Sequence, residues 1–181
     1  VNEQAAEVSP ISKARIAGVF YLLNILTGAS ALFSTGSLGI AVNLLATACY
    51  VAVTVLFYAL FKPVNASLNL LAAAFSLVGC ALSVLNVLDL VHSPVNPLVF
   101  FGFYCVLIGW LVFRSTFLPR ILGVLMIFGG LGWLTFLFPP LASSLSPYNM
   151  APGILGETVL TLWLLIKGID VGKWNEKAIA G

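Results

Sequence analysis

Polar and small side chains recur at a helical interval in a chain that is otherwise apolar. Between residues 67 and 92, Asn69, Ala72, Ser76, Gly79, Ser83 and Asn86 stand three or four positions apart, the interval that keeps side chains on one face of an α-helix. The segment before it presents a matching line of Asn43, Thr47, Tyr50, Thr54 and Tyr58. Pairing Asn43 with Asn86, Thr47 with Ser83, Tyr50 with Gly79, Thr54 with Ser76 and Tyr58 with Ala72 gives nearly constant index sums, as two antiparallel helices require. The midpoint falls near Asn65, where Lys62-Pro63-Val64-Asn65 has the proline and polar residues of a turn. The pattern predicts a hairpin whose polar seams face each other, with the large Tyr50 side chain set in the space above Gly79.

Apolar runs continue along the chain at about 15–34, 38–61, 67–92, 97–113, 118–141 and 152–169, separated by punctuation such as Ser34-Thr35-Gly36-Ser37, Ser93-Pro94-Val95-Asn96-Pro97 and Pro139-Pro140. Each is near the roughly 20 residues that cross a bilayer as a helix. Ala29-Ser30-Ala31 resembles a signal-peptidase site, but the run before it is longer than a signal core and reads as a first span. Of 181 residues, 61% are hydrophobic and 8% charged, against about 25% charged in ordinary soluble domains. The expectation is an all-α polytopic membrane protein: a six-transmembrane-helix bundle over 15–169, with tails at 1–14 and 170–181.

Charge adds a direction. Lys13 and Arg15 precede the first run, Lys62 lies in the second loop, Arg114 and Arg120 bracket the fourth, and Lys167, Lys173 and Lys177 follow the last. All eight basic residues thus fall on one side. The positive-inside rule then predicts both termini in the cytoplasm, in a bacterial inner membrane. No basic arm or aromatic-basic patch suggests nucleic acid as a partner.

Candidate chemistry gathers toward the other side. Counted along the helices, Asn43, Asn86 and Glu157 lie at similar depth, with Asp89 and His92 nearer the surface, so an outward-facing polar cleft is expected from these five. Ionisable groups inside a membrane are costly and mark sites of ligand or proton binding. Glu157 also has a structural reading: after Pro152 and Gly153 it would cap the first turn of its helix. Asn24 and Thr27 sit near mid-membrane in the first run. Gly102, Cys105 and Gly109 form one small-residue line and Gly123, Gly129, Gly130 and Gly132 another, which suit close helix packing. Phe128, Trp133, Phe136 and their aromatic neighbours read as bulk for lipid, core or interface.

Enzyme motifs are missing from this pattern. There is no His-Glu-x-x-His and no Walker loop, His92 is the sole histidine, and the two aspartates, Asp89 and Asp170, fall on opposite sides. Cys49, Cys80 and Cys105 lack the close companions of a metal site and read as buried small hydrophobes. No catalytic residue, metal or cofactor is expected, apart from bound lipid.

Three stretches carry a family pattern: Ala14-Arg15-Ile16-Ala17-Gly18; Phe113-Arg114-Ser115-Thr116-Phe117-Leu118-Pro119-Arg120 with Leu122-Gly123; and Gly156-Glu157 leading to Leu162-Trp163-Leu164-Leu165-Ile166-Lys167-Gly168. In these the chain resembles the bacterial multi-pass membrane family catalogued as domain of unknown function 4386. The resemblance implies a multi-pass helical protein with no established activity. It marks Arg114, Pro119, Arg120, Glu157 and Lys167 as positions of the pattern and gives none of them a role. The functional expectation is a noncatalytic protein that binds membrane lipid or another apolar ligand, or serves as an accessory subunit of a larger membrane complex. The alternative is a small proton-linked transporter working through the cleft.

Overall fold

The computed structural model describes residues 9–91 and 93–180. Among the described residues the chain is helical throughout, without a strand: α1 (Pro10–Ala31), α2 (Gly36–Phe61), α3 (Ala66–Val87), α4 (Leu98–Ser115), α5 (Arg120–Leu134), α6 (Pro139–Leu145), α7 (Ala151–Ile166) and α8 (Val171–Ala180). Short 3-10 turns, Thr135–Leu137 and Tyr148–Met150, extend α5 and lead into α7. Six of these elements, α1 to α5 and α7, are long and apolar enough with their extensions to cross a membrane. Their outer faces carry Val19, Leu26, Leu45, Val55, Leu70 and Phe128, all well exposed. Such a surface suits hydrocarbon and would be an aggregation liability in water. The protein is a multi-pass membrane protein.

The spans form a closed ring in chain order. Each packs on the one before and the one after, and α7 closes the circle against α1. Small residues set the tightest joints. Gly102 lies opposite Gly130 and Gly109 opposite Gly123, so that a Cβ on Gly123 would stand 2.5 Å from the Gly109 carbonyl oxygen and one on Gly130 2.6 Å from that of Gly102. Both glycine pairs recur at a seven-residue spacing, two helical turns apart, which keeps α4 and α5 in backbone contact along their length. At the closure, Gly18 of α1 receives Leu165 of α7.

One end of the ring gathers the start of α1, the end of α2, the α4–α5 turn and α8. Ile11 lies over Gly168, the Asp170 amide donates to the Phe117 carbonyl at 3.1 Å, and the Trp174 indole donates to the Leu60 carbonyl at 2.8 Å. The basic residues of the sequence sit at this end or just beside it, as the alternation of the spans requires. Phe57, Phe61 and Phe117 fill its interior, Phe61 stacking on Phe117 with centroids 5.8 Å apart. Aromatic packing therefore fills the interior of this basic end, and a groove lined by Phe117, Trp163, Lys167 and Asp170 lies beside it.

The expected α2–α3 hairpin is present. Asn65 caps α3 by accepting from the Leu68 amide at 2.8 Å, the Thr54 and Ser76 hydroxyls hydrogen-bond at 2.6 Å, and Asn69 donates to the Tyr58 carbonyl at 2.7 Å. Tyr50 does not meet Gly79, however. Phe101 from α4 fills the space over Gly79, 3.0 Å from where a Cβ would be. Tyr50 instead packs edge-on with Phe101, Tyr104 and Tyr21, its centroid 4.7 Å from the first and 5.7 Å from each of the others. A single hairpin cannot reveal the ring that a third helix inserts.

Several boundaries also differ from the apolar runs. The 1–14 tail is helical from Pro10, with proline at the first position and the Ser9 hydroxyl capping the Ser12 amide; residues 1–8 lie outside the described residues. The third span ends at Val87 rather than 92, because Asp89 adopts a left-handed conformation (φ 56°). Its amide donates to the Asn86 carbonyl and that of Leu90 to Leu85, a Schellman stop. The fifth run breaks after Leu134, and the prolines at 139 and 140 open the separate helix α6. Residues 170–180 form α8 rather than a simple tail, Asp170 accepting from the Lys173 amide at 3.2 Å.

Candidate functional site

A cavity of about 420 Å³ opens at the end of the ring opposite the basic residues. Its wall on α1 is Asn24, Ile25 and Gly28, and on α2 it is Asn43, Ala46, Thr47 and Tyr50. Ser83 of α3, Leu98 and Phe101 of α4, and Trp133 of α5 continue the circle to Ile154 and Glu157 of α7. All six spans therefore contribute. The polar seam of α2 and α3 explains the opening: at Thr54–Ser76 and Asn69–Tyr58 the two helices are tied by hydrogen bonds, while nearer the mouth Asn43, Thr47 and Ser83 turn to the cavity instead.

Glu157 lies at the inner side of this cavity and is only 9% exposed. Its Oε1 accepts from the Trp133 indole at 2.9 Å and faces the Cys105 thiol at 3.6 Å. Trp133 reaches it because Gly153, one turn earlier on α7, leaves no side chain where the indole lies. The Tyr21 hydroxyl stands close to the carboxylate without an aligned hydrogen bond. Among the described residues no Lys or Arg forms an ion pair with Glu157, and Oε2 accepts no hydrogen bond. The buried hydroxyls of Tyr21, Tyr50 and Tyr104 likewise have no partner there. Orphaned polar groups are uncommon in protein interiors, and of these three hydroxyls that of Tyr50 belongs to a residue of the cavity wall.

The helix-cap reading of Glu157 is overturned. The residue lies beyond the first turn of α7, which contains no acidic residue, and its side chain bonds across to α5 rather than to its own helix start. The five candidate residues do not converge as a set. Glu157 and Asn43 line the cavity. Asn86 is exposed and accepts from the Ser93 amide at 3.5 Å, and Asp89 forms the α3 stop, so neither belongs to the cavity wall. The end of α3 at Val87 places Asp89 beyond the helix. His92 lies outside the described residues.

Sequence reasoning missed the most telling partner, Trp133, which it counted as aromatic bulk. A signal was available: an indole amid Gly129, Gly130 and Gly132 on a packing face has a donor that hydrocarbon cannot satisfy, and Glu157 is the carboxylate among the spans best placed to accept it. Asn24 also joins the wall; its carbonyl accepts from the Thr27 hydroxyl at 3.1 Å, and its side chain makes no hydrogen bond among the described residues. Gly28 beside it faces open space, with nothing within 4 Å of an added Cβ.

Asp170 is the titratable group outside the spans with the clearest perturbation. The Lys173 amide, donating to it as the cap of α8, holds its carboxyl below the usual carboxylate range, and the Lys173 ammonium at 3.4 Å adds to this.

The chain is similar to an uncharacterized protein of Archaeoglobus fulgidus, 29% identical over 133 residues that cover 65% of this chain and 76% of the relative. No solved structure matches it. The family resemblance read from the sequence is shown for its C-terminal part: residues 95–168, which supply Trp133 and Glu157 to the cavity, match the family described as Domain of unknown function (DUF4386).

Proposed function

We propose that this protein binds a small amphiphile or lipid-derived molecule within the membrane, in the cavity that the six spans enclose. The observation that carries this reading is the form of the cavity: about 420 Å³, mostly apolar walls, and one carboxylate held in place at its inner side by Trp133. Binding sites for small molecules are of this size and make-up, apolar with a few placed polar groups. Among the described residues no nucleophile–base pair lies on the wall, which favours binding over catalysis. The same cavity can serve an accessory subunit, holding its ligand for a partner in the membrane.

The orientation belongs to the same proposal. With the basic end on the cytoplasmic face, as lysine and arginine bias requires, both termini lie inside and the cavity opens outward from the cytoplasmic membrane. Proton-linked transport is the second reading, supported by a membrane carboxylate without a cation beside it. It needs a second opening through the Phe57, Phe61 and Phe117 packing, so binding accounts for the observed arrangement with fewer parts.

The test is native mass spectrometry of the full chain after mild detergent extraction. A bound amphiphile is expected at stoichiometric occupancy, lost in Gly28→Phe, whose ring would fill the cavity, and kept in Gly28→Ala. An empty protein, or a ligand retained by a folded Gly28→Phe variant, refutes the reading.

A further inference from the structure

The polar inventory of the cavity specifies the charge of its occupant, and this inference rests on the binding role proposed above. Among the described residues, Glu157 is the one charged side chain on the wall, and no lysine or arginine lines it. The basic residues lie instead around the far end of the ring, beyond the packed Phe57, Phe61 and Phe117. An anionic head group would meet the Glu157 carboxylate with no countercharge.

The second observation concerns what Glu157 leaves unused. Trp133 and Cys105 both approach Oε1, and Oε2 accepts nothing among the described residues. The Trp133 bond fixes the orientation of the carboxylate, and the Tyr21 hydroxyl beside it makes no aligned hydrogen bond that would occupy the other oxygen. A ligand with an N–H donor and a positive charge would complete it with a charge-assisted hydrogen bond, roughly twice as strong as a neutral one. The aromatic residues agree: Tyr50, Phe101 and Trp133 all contribute to the wall, and ring faces attract cations. Tyr50 is 6% exposed and its hydroxyl has no partner, so the wall also holds a buried polar side chain still to be satisfied.

We propose that the cavity selects an amphiphilic organic monocation, an ammonium group on an apolar body, with Glu157 Oε2 as its counter-ion and the aromatic residues flanking the charge. The apolar body would lie toward Ile25, Ala46, Leu98 and Ile154, and the mouth would admit it from the membrane surface.

Decylamine, decanol and decanoate share a chain and differ in the head group, so together they isolate charge. Their binding to the full-length protein in nanodiscs is measured by native mass spectrometry, with Gly28→Phe as the blocked control. Decylamine is expected to bind about tenfold tighter than decanol, the scale of gaining one charge-assisted bond, and decanoate more weakly than either. Glu157→Gln, which keeps an acceptor for Trp133, is expected to bring decylamine to the level of decanol while decanol binding stays. If decanol or decanoate matches decylamine in the unaltered protein, the charge preference is wrong although the cavity stands. If no probe binds, or Gly28→Phe leaves binding intact, the binding role itself fails. The ranking in the unaltered protein decides the question even if Glu157→Gln does not fold.

Discussion

The same substitution, glycine to alanine, should have opposite effects at two positions of this ring. At Gly123 an added Cβ would lie 2.5 Å from the Gly109 carbonyl oxygen and 2.7 Å from the Phe113 nitrogen. Both are backbone atoms of α4 and neither can turn aside as a flexible side chain would. Ordinary contact begins near 3.4 Å, so α4 and α5 must part by about 1 Å, a gap that forfeits a quarter to a half of each dispersion contact along the joint. Overpacking of this kind costs about 1–3 kcal/mol, and the helical preference of alanine over glycine returns about 0.5–1 kcal/mol. Taken at the middle of these ranges, Gly123→Ala should therefore lose about 1 kcal/mol. At Gly28 nothing lies within 4 Å of the added atom, and only the gain of about 0.5–1 kcal/mol remains. Reversible unfolding in mixed micelles, read by tryptophan fluorescence, measures both. A Gly123→Ala protein as stable as its parent, or a destabilised Gly28→Ala, would refute the close approach of α4 and α5 or the openness beside Gly28.

Three further outcomes are expected. A double-mutant cycle with Thr54→Val and Ser76→Ala should give a coupling of about 0.6 kcal/mol and no more than about 1.7, the range for interhelical hydrogen bonds in membranes; zero coupling would place the two hydroxyls apart. Trp133→Phe should cost about 1–3 kcal/mol by leaving the Glu157 carboxyl short of its donor, and adding Glu157→Met should recover most of that loss in the same unfolding assay, which an incidental contact would not do. Because Asp170 is held below the carboxylate range when α8 is docked, its contribution is complete above the unfolded value of about 3.9 and is lost as pH falls through the lowered folded value. Amide protection in α8, taken relative to the intrinsic exchange rate at each pH, should accordingly fall in that acid window, and Asp170→Asn, which still caps the helix, should flatten the change; an unaltered acid response in the variant would assign it to another group.

What the sequence made legible was periodic. Thr54 and Ser76 stand on regular seams whose pairing follows from antiparallel register alone, and their hydrogen bond is where that register puts it. Tyr50 was misassigned because its neighbours, Phe101, Tyr104 and Tyr21, come from α4 and α1, and no pattern within one hairpin reports a ring closing around it. Asp89 was read as a ligand group from its position after a polar line, whereas its left-handed backbone ends the helix. Non-glycine residues adopt that conformation too rarely for sequence to announce it. Glu157 stood out as a candidate from its charge alone, but its bond to Trp133 spans 24 positions and depends on Gly153 making room. Such a contact is set by tertiary packing, which neither propensity nor spacing records.

The circular order of the spans bears on how the protein comes to be made. Every spanning helix after the first packs on the span before it, so each can dock as it leaves the ribosome and translocation machinery, without waiting for distant sequence. The joint between α1 and α7 is the exception, since it unites spans far apart in the sequence. Glu157 arrives with α7. The ring is thus closed only once α7 has been made, and a nascent chain arrested before α7 would hold five walls of the cavity without its carboxylate.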